Sequence, residues 1–307
     1  MKHPGKFQKL MNSIKSPLNP EKEAYLDSKF DTKKIISLYN AIDVKVDRFF
    51  DKPEIYLYKC KYTGYRFYYP FNIVADAAFY EDISKNRPYY SQRWEHFRAL
   101  KYIGKKDKVL EIGSGFGIFL SMLKEKNISA KGLELNPHAV KECKLQNFDV
   151  DDCLIQEVAE KNIEKFDVVA TFQVLEHITE VKSFIQSALD TIKSGGKLIV
   201  GVPNNNPYLF ISDKYHTLNL PPHHAGLWNK KSLQSLENIF PIKCKEIEFE
   251  PLITTYEYFI QFHINNAPTK ILKKAISIFH KTAPNILRKI CCRFIKGRNI
   301  MVIYSKI

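Results

Sequence analysis

The stretch K-V-L-E-I-G-S-G-F-G, from Lys108 to Gly117, decides the fold of this chain. Its apolar residues, Val109, Leu110 and Ile112, form a short run typical of a buried parallel strand. The glycines that follow turn the chain sharply, and I-F-L-S-M-L-K from Ile118 onward has helical spacing. A strand, a glycine turn and a helix N-terminus together predict a corner where the backbone can approach a ligand closely.

Two acidic residues and the glycine spacing narrow the choice of ligand. The spacing is G-x-G-x-G, and Ile118 stands where the dinucleotide pattern G-x-G-x-x-G has its third glycine, which disfavours a nicotinamide dehydrogenase. Glu111, two residues before the first glycine, would repel a pyrophosphate but suits a ligand with an ammonium group. Glu134 lies 21 residues after Gly113, the spacing at which an acid can accept hydrogen bonds from ribose hydroxyls.

Four segments resemble, in order and spacing, the motifs of class I S-adenosylmethionine-dependent methyltransferases. They are E-I-G-S-G-F-G, G-L-E-L-N, F-D-V-V-A-T-F-Q-V-L-E-H ending at His177, and I-K-S-G-G-K-L-I-V-G-V-P-N ending at Asn204. The resemblance covers about Tyr89 to Asn204 and is weaker elsewhere. The L-E-H motif and the stretch P-P-H-H-x-x-x-W are similar to those of small-molecule methyltransferases from bacterial surface-polysaccharide clusters. The resemblance implies an enzyme with S-adenosyl-L-methionine as its cofactor.

Residues 107–204 alternate predicted strands and helices, as expected for a parallel sheet with helices on both faces. The predicted strands are 108–112, 130–134, 148–151, 166–172 and 197–202, and the predicted helices are 116–126, 137–146 and 181–193. The resemblance implies an α/β, Rossmann-like, seven-stranded and mostly parallel sheet, completed by an antiparallel pair at Lys245–Phe249 and Ile300–Tyr304. We predict three regions: an N-terminal extension (1–88), a cofactor-binding core (89–204), and a substrate or cap region (205–307).

The N-terminal extension is predicted to be mostly helical over residues 1–50, with a helix seeded by Ile35 and its neighbours. Ile55–Pro70 alternates aromatic and polar residues around a Thr-Gly turn, which predicts a β-hairpin. This hairpin resembles the zinc-ribbon lead-in C-x-x-C-G of some methyltransferases. Cys60 stands alone, however, and Thr63 occupies the second ligand position, so we predict no metal.

Charge is distributed unevenly along the chain. Residues 1–106 carry 21 basic and 12 acidic residues, residues 107–207 carry 11 and 15, and residues 208–307 carry 15 and 6. Basic flanks around an acidic core attract anionic substrates, a phospholipid surface or nucleic acid, or form a solvated lysine-rich surface. Residues 268–298 contain nine basic and no acidic residues, with apolar residues at helical spacing. Such helices suit peripheral contact with an anionic membrane, or they cover the core or a dimer interface.

Other features predict the location of the protein. The six cysteines are scattered, as expected for free thiols in a cytoplasmic chain. The sequence contains no run of about 20 apolar residues, so we expect no membrane-spanning helix. The basic N-terminus lacks the apolar segment of a secretory signal. We therefore expect a cytoplasmic bacterial protein, peripheral at the inner membrane face through residues 268–298.

The resemblance assigns cofactor-binding roles to individual residues. The glycine-loop backbone would hold the methionine moiety, Glu111 its ammonium group, and Glu134 the ribose, while residues after the third strand would border the adenine. The full set is Glu111, Gly113, Ser114, Gly115, Gly117, Glu134, Leu135, Asp152, Cys153, Leu154, Phe172, Gln173 and Tyr90. Tyr90, like Trp94, is a candidate for a lid over the methionine end, or packs its helix against the sheet.

Three histidines are candidates for accepting a proton from the methyl acceptor: His177 in the L-E-H turn, and His223 with His224 in the H-H pair. His177 is alternatively a structural residue that ties down its loop. Related O-methyltransferases with an E-x-x-E-H pattern use the acids and the His around a divalent ion. Gln173 replaces the first Glu here, so we expect no metal.

Three functions remain open from the sequence. The first is O-methylation of a sugar, glycan or quinone-type hydroxyl, on an anionic or lipid-linked molecule. The second is methylation of nucleic acid by way of the basic flanks, although no N-P-P-Y type motif follows the fourth strand and no RNA-binding module is evident. The third is a non-catalytic scaffold, against which the intact glycine turn and Glu134 argue. We expect no nucleic-acid partner.

Overall fold

The computed structural model describes residues 13–86, 91–205 and 213–307. The first range contains β1 (Ser13–Lys15), β2 (Glu23–Asp31), α1 (Thr32–Asn40), β3 (Glu54–Cys60), β4 (Arg66–Tyr69) and α2 (Ala77–Asn86). The second contains α3 (Trp94–Ala99), β5 (Lys108–Ile112), α4 (Ile118–Glu125), β6 (Ser129–Leu133), α5 (Pro137–Leu145), β7 (Val150–Asp151), α6 (Ile155–Ala159), β8 (Phe166–Phe172), α7 (Val181–Asp190) and β9 (Ile192–Pro203). The third contains β10 (Gly226–Leu227), α8 (Lys230–Gln234), β11 (Ile242–Pro251), α9 (Tyr256–Asn265), α10 (Lys270–Thr282), α11 (Pro284–Phe294) and β12 (Lys296–Lys306).

The central sheet has seven strands in the order β11-β12-β9-β8-β5-β6-β7. Strands β7, β6, β5, β8 and β9 run parallel, whereas β12 pairs antiparallel with both β9 and β11. This arrangement confirms the predicted Rossmann-like sheet with its final antiparallel pair. It also places the loops after β5, β6 and β8 at one edge, where the parallel strands have their carboxyl ends.

The middle strands form because both of their faces are covered. Within β5, Val109 and Leu110 are fully buried but belong to different apolar clusters, one on each side of the sheet. Val168 and Val169 divide in the same way on β8. Each such side chain contributes about 1.5–3 kcal/mol on burial, so these runs fix the position of the glycine loop that follows β5.

A second, antiparallel sheet has the order β1-β2-β3-β4-β10. The predicted hairpin is confirmed as β3 and β4, with Tyr56 opposite Tyr69. The prediction of mostly helical structure over residues 1–50 was wrong at β2, where Ala24 and Phe30 face the core and the residues between them alternate. The helix predicted around Ile35 is confirmed as α1, and the Asp31 carboxylate caps it by accepting a hydrogen bond from the Lys33 N–H at 2.9 Å.

The last strand of this second sheet comes from the C-terminal part of the chain. Gly226 of β10 pairs with Phe67, and Leu227 pairs with Arg66. Gly226 has no room for a side chain, because a Cβ there would lie 2.0 Å from the Tyr65 hydroxyl. The N-terminal extension and the region after β9 are thus joined in one sheet.

Helices α9, α10 and α11 are inserted between β11 and β12, and α10 and α11 confirm the helical spacing predicted for 268–298. Part of their apolar surface packs on the cluster around Tyr256 and Ile260. The remainder is exposed: Ile271, Leu272, Ile278, Phe279, Ile286, Ile290 and Phe294. None of the helices in the described residues has the length and apolar character needed to cross a membrane.

Two glycines with similar backbone angles provide a test of the loop after β5. Gly113 has φ +78°, and a Cβ there would lie 2.3 Å from Val174 Cγ2; Gly195 has φ +73° with nothing within 4 Å. We expect Gly195→Ala to lower the free energy of unfolding by about 1–2 kcal/mol through left-handed strain alone. Gly113→Ala should lower the free energy of unfolding by about 1–3 kcal/mol more than Gly195→Ala, because its new methyl group also collides with Val174. Urea unfolding of both variants measures the difference, and equal losses would contradict a packed loop.

Candidate active site

The loop after β5 is held against β6 by its backbone. The N–H groups of Gly113 and Ser114 donate to the Leu133 carbonyl at 2.8 and 3.0 Å. Gly113, Gly115 and Gly117 all have positive φ, between +52° and +78°, which glycine adopts without steric strain. The predicted glycine corner is therefore present, with Gly117 at the start of α4.

Glu134 connects this loop to the turn after β6. Its carboxylate accepts hydrogen bonds from the Gly115 N–H at 2.7 Å and from the Asn136 N–H at 2.8 Å. Charge-assisted bonds of this kind are among the stronger ones in proteins, so the acid organises both turns. Leu135, which follows, is exposed beside them.

Two buried polar atoms beneath the loop have no hydrogen-bond partner among the described residues: Oε2 of Glu111 and Oγ of Ser114. Burial, and then the neighbouring charge of Glu134, raises the pKa of Glu111 well above its usual value. An unsatisfied buried group costs about 1–3 kcal/mol, and a bound ammonium group would remove that cost. This chemistry fits the methionine end of S-adenosylmethionine.

The remaining predicted cofactor residues lie around the same edge of the sheet. Asp152, Cys153 and Leu154 form the turn between β7 and α6, and the Glu134 N–H donates to the carbonyl of Asp151 just before them, at 3.1 Å. Asp152 and Leu154 are exposed and Cys153 is half-buried. Phe172 is buried, with its ring centroid 5.0 Å from those of His96 and Phe119. Tyr90 lies outside the described residues.

A cavity of about 430 Å³ opens beside the ends of β8 and β9. Of the residues predicted for the site, it contains Gln173 and the three candidate histidines. Its lining is Ser91, Gln92, Arg93, Trp94, Gln173, Glu176, His177, Pro203, His216, Leu218, Asn219, His223, His224, Glu250, Thr255, Arg298 and Asn299. Gln173 comes directly after Phe172, which sequence analysis placed at the methionine end of the cofactor.

Gln173 lies at the centre of a polar network that sequence reasoning missed. Its side-chain amide donates to Glu95 Oε1 at 2.9 Å and to Asn299 Oδ1 at 3.4 Å, and Asn299 donates to Glu250 Oε2 at 3.0 Å. Burial raises the pKa of Glu95, whose Oε2 has no partner among the described residues. Glu250 and Asn299 come from the paired strands β11 and β12, far from the motifs, and only the pairing shows their proximity.

The three candidate histidines lie together. The ring centroids of His177 and His223 are 4.7 Å apart, those of His177 and His224 are 5.0 Å apart, and those of His223 and His224 are 4.6 Å apart. Burial lowers the pKa of His177 to about 4 and that of His224 well below its usual value. These two imidazoles are therefore uncharged at neutral pH.

Hydrogen bonds join the L-E-H turn to the loop that carries the H-H pair. His177 Nδ1 donates to the His223 carbonyl at 2.5 Å, and the Ala225 N–H donates to the Glu176 carbonyl at 2.8 Å. The buried Trp228 indole donates to the Leu175 carbonyl at 3.4 Å. His177 thus ties down the loop, as one interpretation of the sequence expected, and also lines the cavity.

Glu176 is a buried acid beside this cluster. Its Oε1 lies 3.9 Å from His177 Nε2, and its Oε2 has no partner among the described residues. Burial raises the pKa of Glu176 to about 8. The carboxyl group is therefore protonated over much of the neutral range unless a cation or a donor binds beside it.

Comparison with known proteins identifies the domain family of the core. The sequence profile of a methyltransferase domain family matches residues 84–241. Ubiquinone biosynthesis O-methyltransferase from Pseudomonas fluorescens (strain Pf0-1) is 24% identical over 179 residues, covering 52% of this chain and 75% of that protein. Its counterpart from Acinetobacter baumannii (strain AYE) is 26% identical over 149 residues, covering 44% and 62%. A SAM-dependent methyltransferase from Archaeoglobus fulgidus superposes with a TM-score of 0.49 at 19% identity, covering 69% of this chain and 91% of that one.

The raised pKa of Glu111 gives a pH-dependent prediction for the cofactor-free protein. An acid whose pKa is higher folded than unfolded loses its proton first in the unfolded state, so the free energy of unfolding falls as pH rises between the two pKa values. Glu111→Gln has no titrating group at this position, so this pH dependence of the free energy of unfolding is lost. We expect the variant to gain stability relative to the parent as pH rises above the ordinary pKa of a glutamate, about 4.3, at up to about 1.4 kcal/mol per pH unit.

The same substitution should weaken S-adenosylmethionine binding if Glu111 has the predicted role, because it removes the carboxylate that would pair with the ammonium group. Thermal unfolding across the pH range and calorimetric titration of the cofactor give the two readouts. A stability difference that does not change with pH, or undiminished cofactor binding, would contradict the role assigned to Glu111.

Proposed function

The chain belongs to the class I S-adenosylmethionine-dependent methyltransferases, with S-adenosylmethionine as its cofactor, and we propose that it methylates a hydroxyl group of a sugar or glycan carried on a lipid. The observation that supports this acceptor is the polar lining of the cavity beside Gln173. Of its seventeen lining residues within the described ranges, only Trp94, Pro203 and Leu218 are apolar. The other side chains offer amides, carboxylates, hydroxyls, imidazoles and guanidinium groups.

Such a lining matches a polyhydroxylated acceptor. Sugar hydroxyls both donate and accept hydrogen bonds, so they pair with amides such as Asn219 and Asn299 and with carboxylates such as Glu250. Binding sites built around hydrogen-bonded hydroxyls reject acceptors without them, because their buried polar groups would be left unpaired. Several such groups already lack partners among the described residues, including Glu95 Oε2 and Asn219 Nδ2.

The cofactor would lie along the loops after β5, β6 and β8. Glu111 and Ser114 would receive the methionine end, Glu134 the ribose hydroxyls, and the turn at Asp152–Leu154 the adenine. The methyl group would then be at Phe172 and Gln173, at the edge of the cavity. The donor is already an activated sulfonium, so alignment of the acceptor oxygen with the breaking bond is the main requirement.

The acceptor hydroxyl must also lose a proton, and His177, His223 and His224 are the candidates to receive it. Since burial keeps His177 and His224 uncharged, each has a nitrogen able to accept a hydrogen bond. The low pKa of His177, about 4, makes it a weak base for an alcohol. The main contribution of these imidazoles would therefore be to position the hydroxyl.

Two other acceptors are less well supported. The relatives named above are ubiquinone biosynthesis enzymes, and a quinone-type ring carrying an apolar chain would require a more apolar lining than this cavity has. Nucleic acid is supported only by net charge. A scaffold without catalysis is disfavoured by the organised glycine loop and by the buried Glu111 beneath it, whose Oε2 has no hydrogen-bond partner in the part of the chain that the structure describes.

Helices α10 and α11 support a lipid-linked acceptor. Ile271 is 83% and Phe294 is 75% exposed, and the exposed apolar residues are interspersed with lysine and arginine. A basic surface with exposed apolar side chains suits the interface of an anionic membrane. Residues that line the cavity flank these helices in the sequence. Thr255 directly precedes α9, and Arg298 and Asn299 follow α11.

Transfer of labelled methyl from S-adenosylmethionine into a bacterial lysate, separated into lipid, glycan, nucleic-acid and protein fractions, tests the proposed acceptor. We expect label in the lipid-linked or glycan fraction. Glu134→Ala, which frees the glycine loop, should abolish both cofactor binding and transfer. Changing both His223 and His224 to Ala should lower transfer at least tenfold while cofactor binding persists.

Each result of this experiment has a distinct meaning. Label in nucleic acid would replace the proposed acceptor. Absence of cofactor binding by the parent protein would favour a scaffold. Unchanged transfer by the variant lacking both His223 and His224 would remove these histidines from the reaction.

Vesicle sedimentation tests the membrane surface. We expect binding to vesicles of phosphatidylglycerol and phosphatidylcholine, and not to phosphatidylcholine alone. Charge reversal at Lys270, Lys274 and Lys281 should weaken binding at least tenfold, since each lysine near an anionic surface contributes about 1 kcal/mol.

The matched control reverses three exposed lysines at the other end of the sheet: Lys105, Lys106 and Lys126. This control has the same net charge, so it should retain binding if the surface of α10 and α11 is specific. Equal losses in the two variants would show that only net charge matters.

A further inference from the structure

The imidazoles of His177, His223 and His224 meet at the wall of the cavity, and we propose that they bind a divalent transition-metal ion of the zinc class. Each residue offers one ligand atom, and these atoms lie within 4.8 Å of one another. The site differs from an acidic divalent-ion site because all three of its ligands are nitrogen atoms.

The spacing is close to that of a metal centre. Three nitrogens at most 4.8 Å apart surround a point no more than about 2.8 Å from each of them, whereas a zinc–nitrogen bond is about 2.0–2.1 Å. Each nitrogen therefore needs to move by less than about 0.8 Å, which a small side-chain rotation provides. Three protein ligands also leave a position for an oxygen from the cavity, as in catalytic zinc sites.

The hydrogen bonds at Nδ1 fix the ring tautomers in the form that a metal requires. His177 Nδ1 faces the His223 carbonyl at 2.5 Å, His223 Nδ1 faces the Leu218 carbonyl at 2.7 Å, and His224 Nδ1 faces the Asn219 side-chain oxygen at 3.2 Å. Because these oxygens can only accept, Nδ1 carries the hydrogen in each ring, which places the lone pair of the uncharged ring on Nε2. Metal-binding histidines are oriented in the same way, by donating their other ring N–H to an oxygen.

Glu176 is a second, independent observation that points to a cation. This side chain is buried, with 1% exposure, and its Oε2 has no hydrogen-bond partner among the described residues. Its Oε1 lies 3.9 Å from His177 Nε2. A buried carboxylate is costly unless it is paired, and a metal ion held by the three imidazoles would supply the opposite charge.

The chemistry of the ligands selects the type of metal. Imidazole suits zinc, copper, iron and nickel, whereas magnesium and calcium prefer oxygen ligands. The sequence expectation of no metal depended on Cys60 and on Gln173 at the first position of E-x-x-E-H. Neither residue belongs to this cluster, in which His177 lies 46 residues before the adjacent pair His223 and His224 and is brought to it only by the fold.

The consequence for catalysis depends on the proposed function. An acceptor hydroxyl in the open position would be polarised by the ion and would lose its proton more easily. This effect would compensate for the weak basicity of the buried imidazoles. Metal binding itself requires neither cofactor nor acceptor, so it can be tested separately.

The test uses the full chain without a histidine tag, stripped with chelator and titrated with Zn²⁺ and with Co²⁺ as a spectroscopic probe. We expect one equivalent of Zn²⁺ and a visible Co²⁺ spectrum typical of nitrogen ligands in low coordination. His177→Ala, His223→Ala and His224→Ala should each weaken binding at least 100-fold, and Asn219→Ala, which releases His224, about 10–100-fold. Exposed His138, which lies on α5 outside the cavity, provides the control His138→Ala.

Two results would overturn the proposal: no stoichiometric binding by the parent protein, or binding that survives substitution of each of the three histidines. Thermal unfolding and S-adenosylmethionine titration of every variant show whether the fold is retained. If a variant does not fold, the spectrum of the Co²⁺-loaded parent still reports whether its ligands are imidazole nitrogens, and sulfur ligation would also overturn the proposal. Failure of methyl transfer into lipid or glycan, with stoichiometric metal present, would refute the proposed acceptor and leave the metal site intact.

Discussion

The loop from Thr217 to Trp228 is buried, and the organisation of the cavity depends on how its polar backbone groups are paired. The Tyr39 hydroxyl donates to the carbonyls of Thr217 at 2.7 Å and Leu220 at 2.9 Å, and the Tyr68 hydroxyl donates to that of Asn219 at 3.2 Å. A buried carbonyl left without a donor costs about 1–3 kcal/mol. Helix α1 and strand β4 of the N-terminal extension therefore support the loop that carries the H-H pair.

The two halves of the site are built in different ways. The half proposed for the cofactor consists of the turns that follow neighbouring parallel strands, and Glu134 organises two of these turns through hydrogen bonds with Gly115 and Asn136. The acceptor half combines groups from distant parts of the chain, such as Glu95, His223 and Asn299. Acceptor specificity can thus change through the flanking regions while the cofactor loops stay the same, a separation of fold and function that is common in superfolds.

Much of the core was predictable because its signals are local. The apolar run at Val109–Ile112 and the glycines after it fix a strand and a turn without reference to the rest of the chain. Strand β2 was missed because its inward residues alternate with mostly charged ones but are not all apolar, so the period-two pattern is weak. Its partner strand also lies more than twenty residues further along the chain. Strand β10 has only two residues, too few for any periodic signal.

The acceptor half was predictable in its residue types but not in its geometry. The H-H pair and the L-E-H turn were evident as unusual sequences, yet nothing in the sequence places His177 against His223. Glu250 and Asn299 gave no signal, because their proximity follows from the pairing of β11 with β12. Sequence patterns report which face of an element is apolar, whereas convergence of side chains from separate elements depends on topology.

The position of β12 has a consequence for synthesis of the protein. This strand fills the space between β9 and β11, although it is made after both. During translation the edge of β9 stays unpaired until residues 296–306 leave the ribosome, and an open strand edge promotes association with other chains. The glycine loop and Glu134 emerge much earlier, so the residues proposed to bind the methyl donor leave the ribosome well before Arg298 and Asn299, which complete the lining of the cavity.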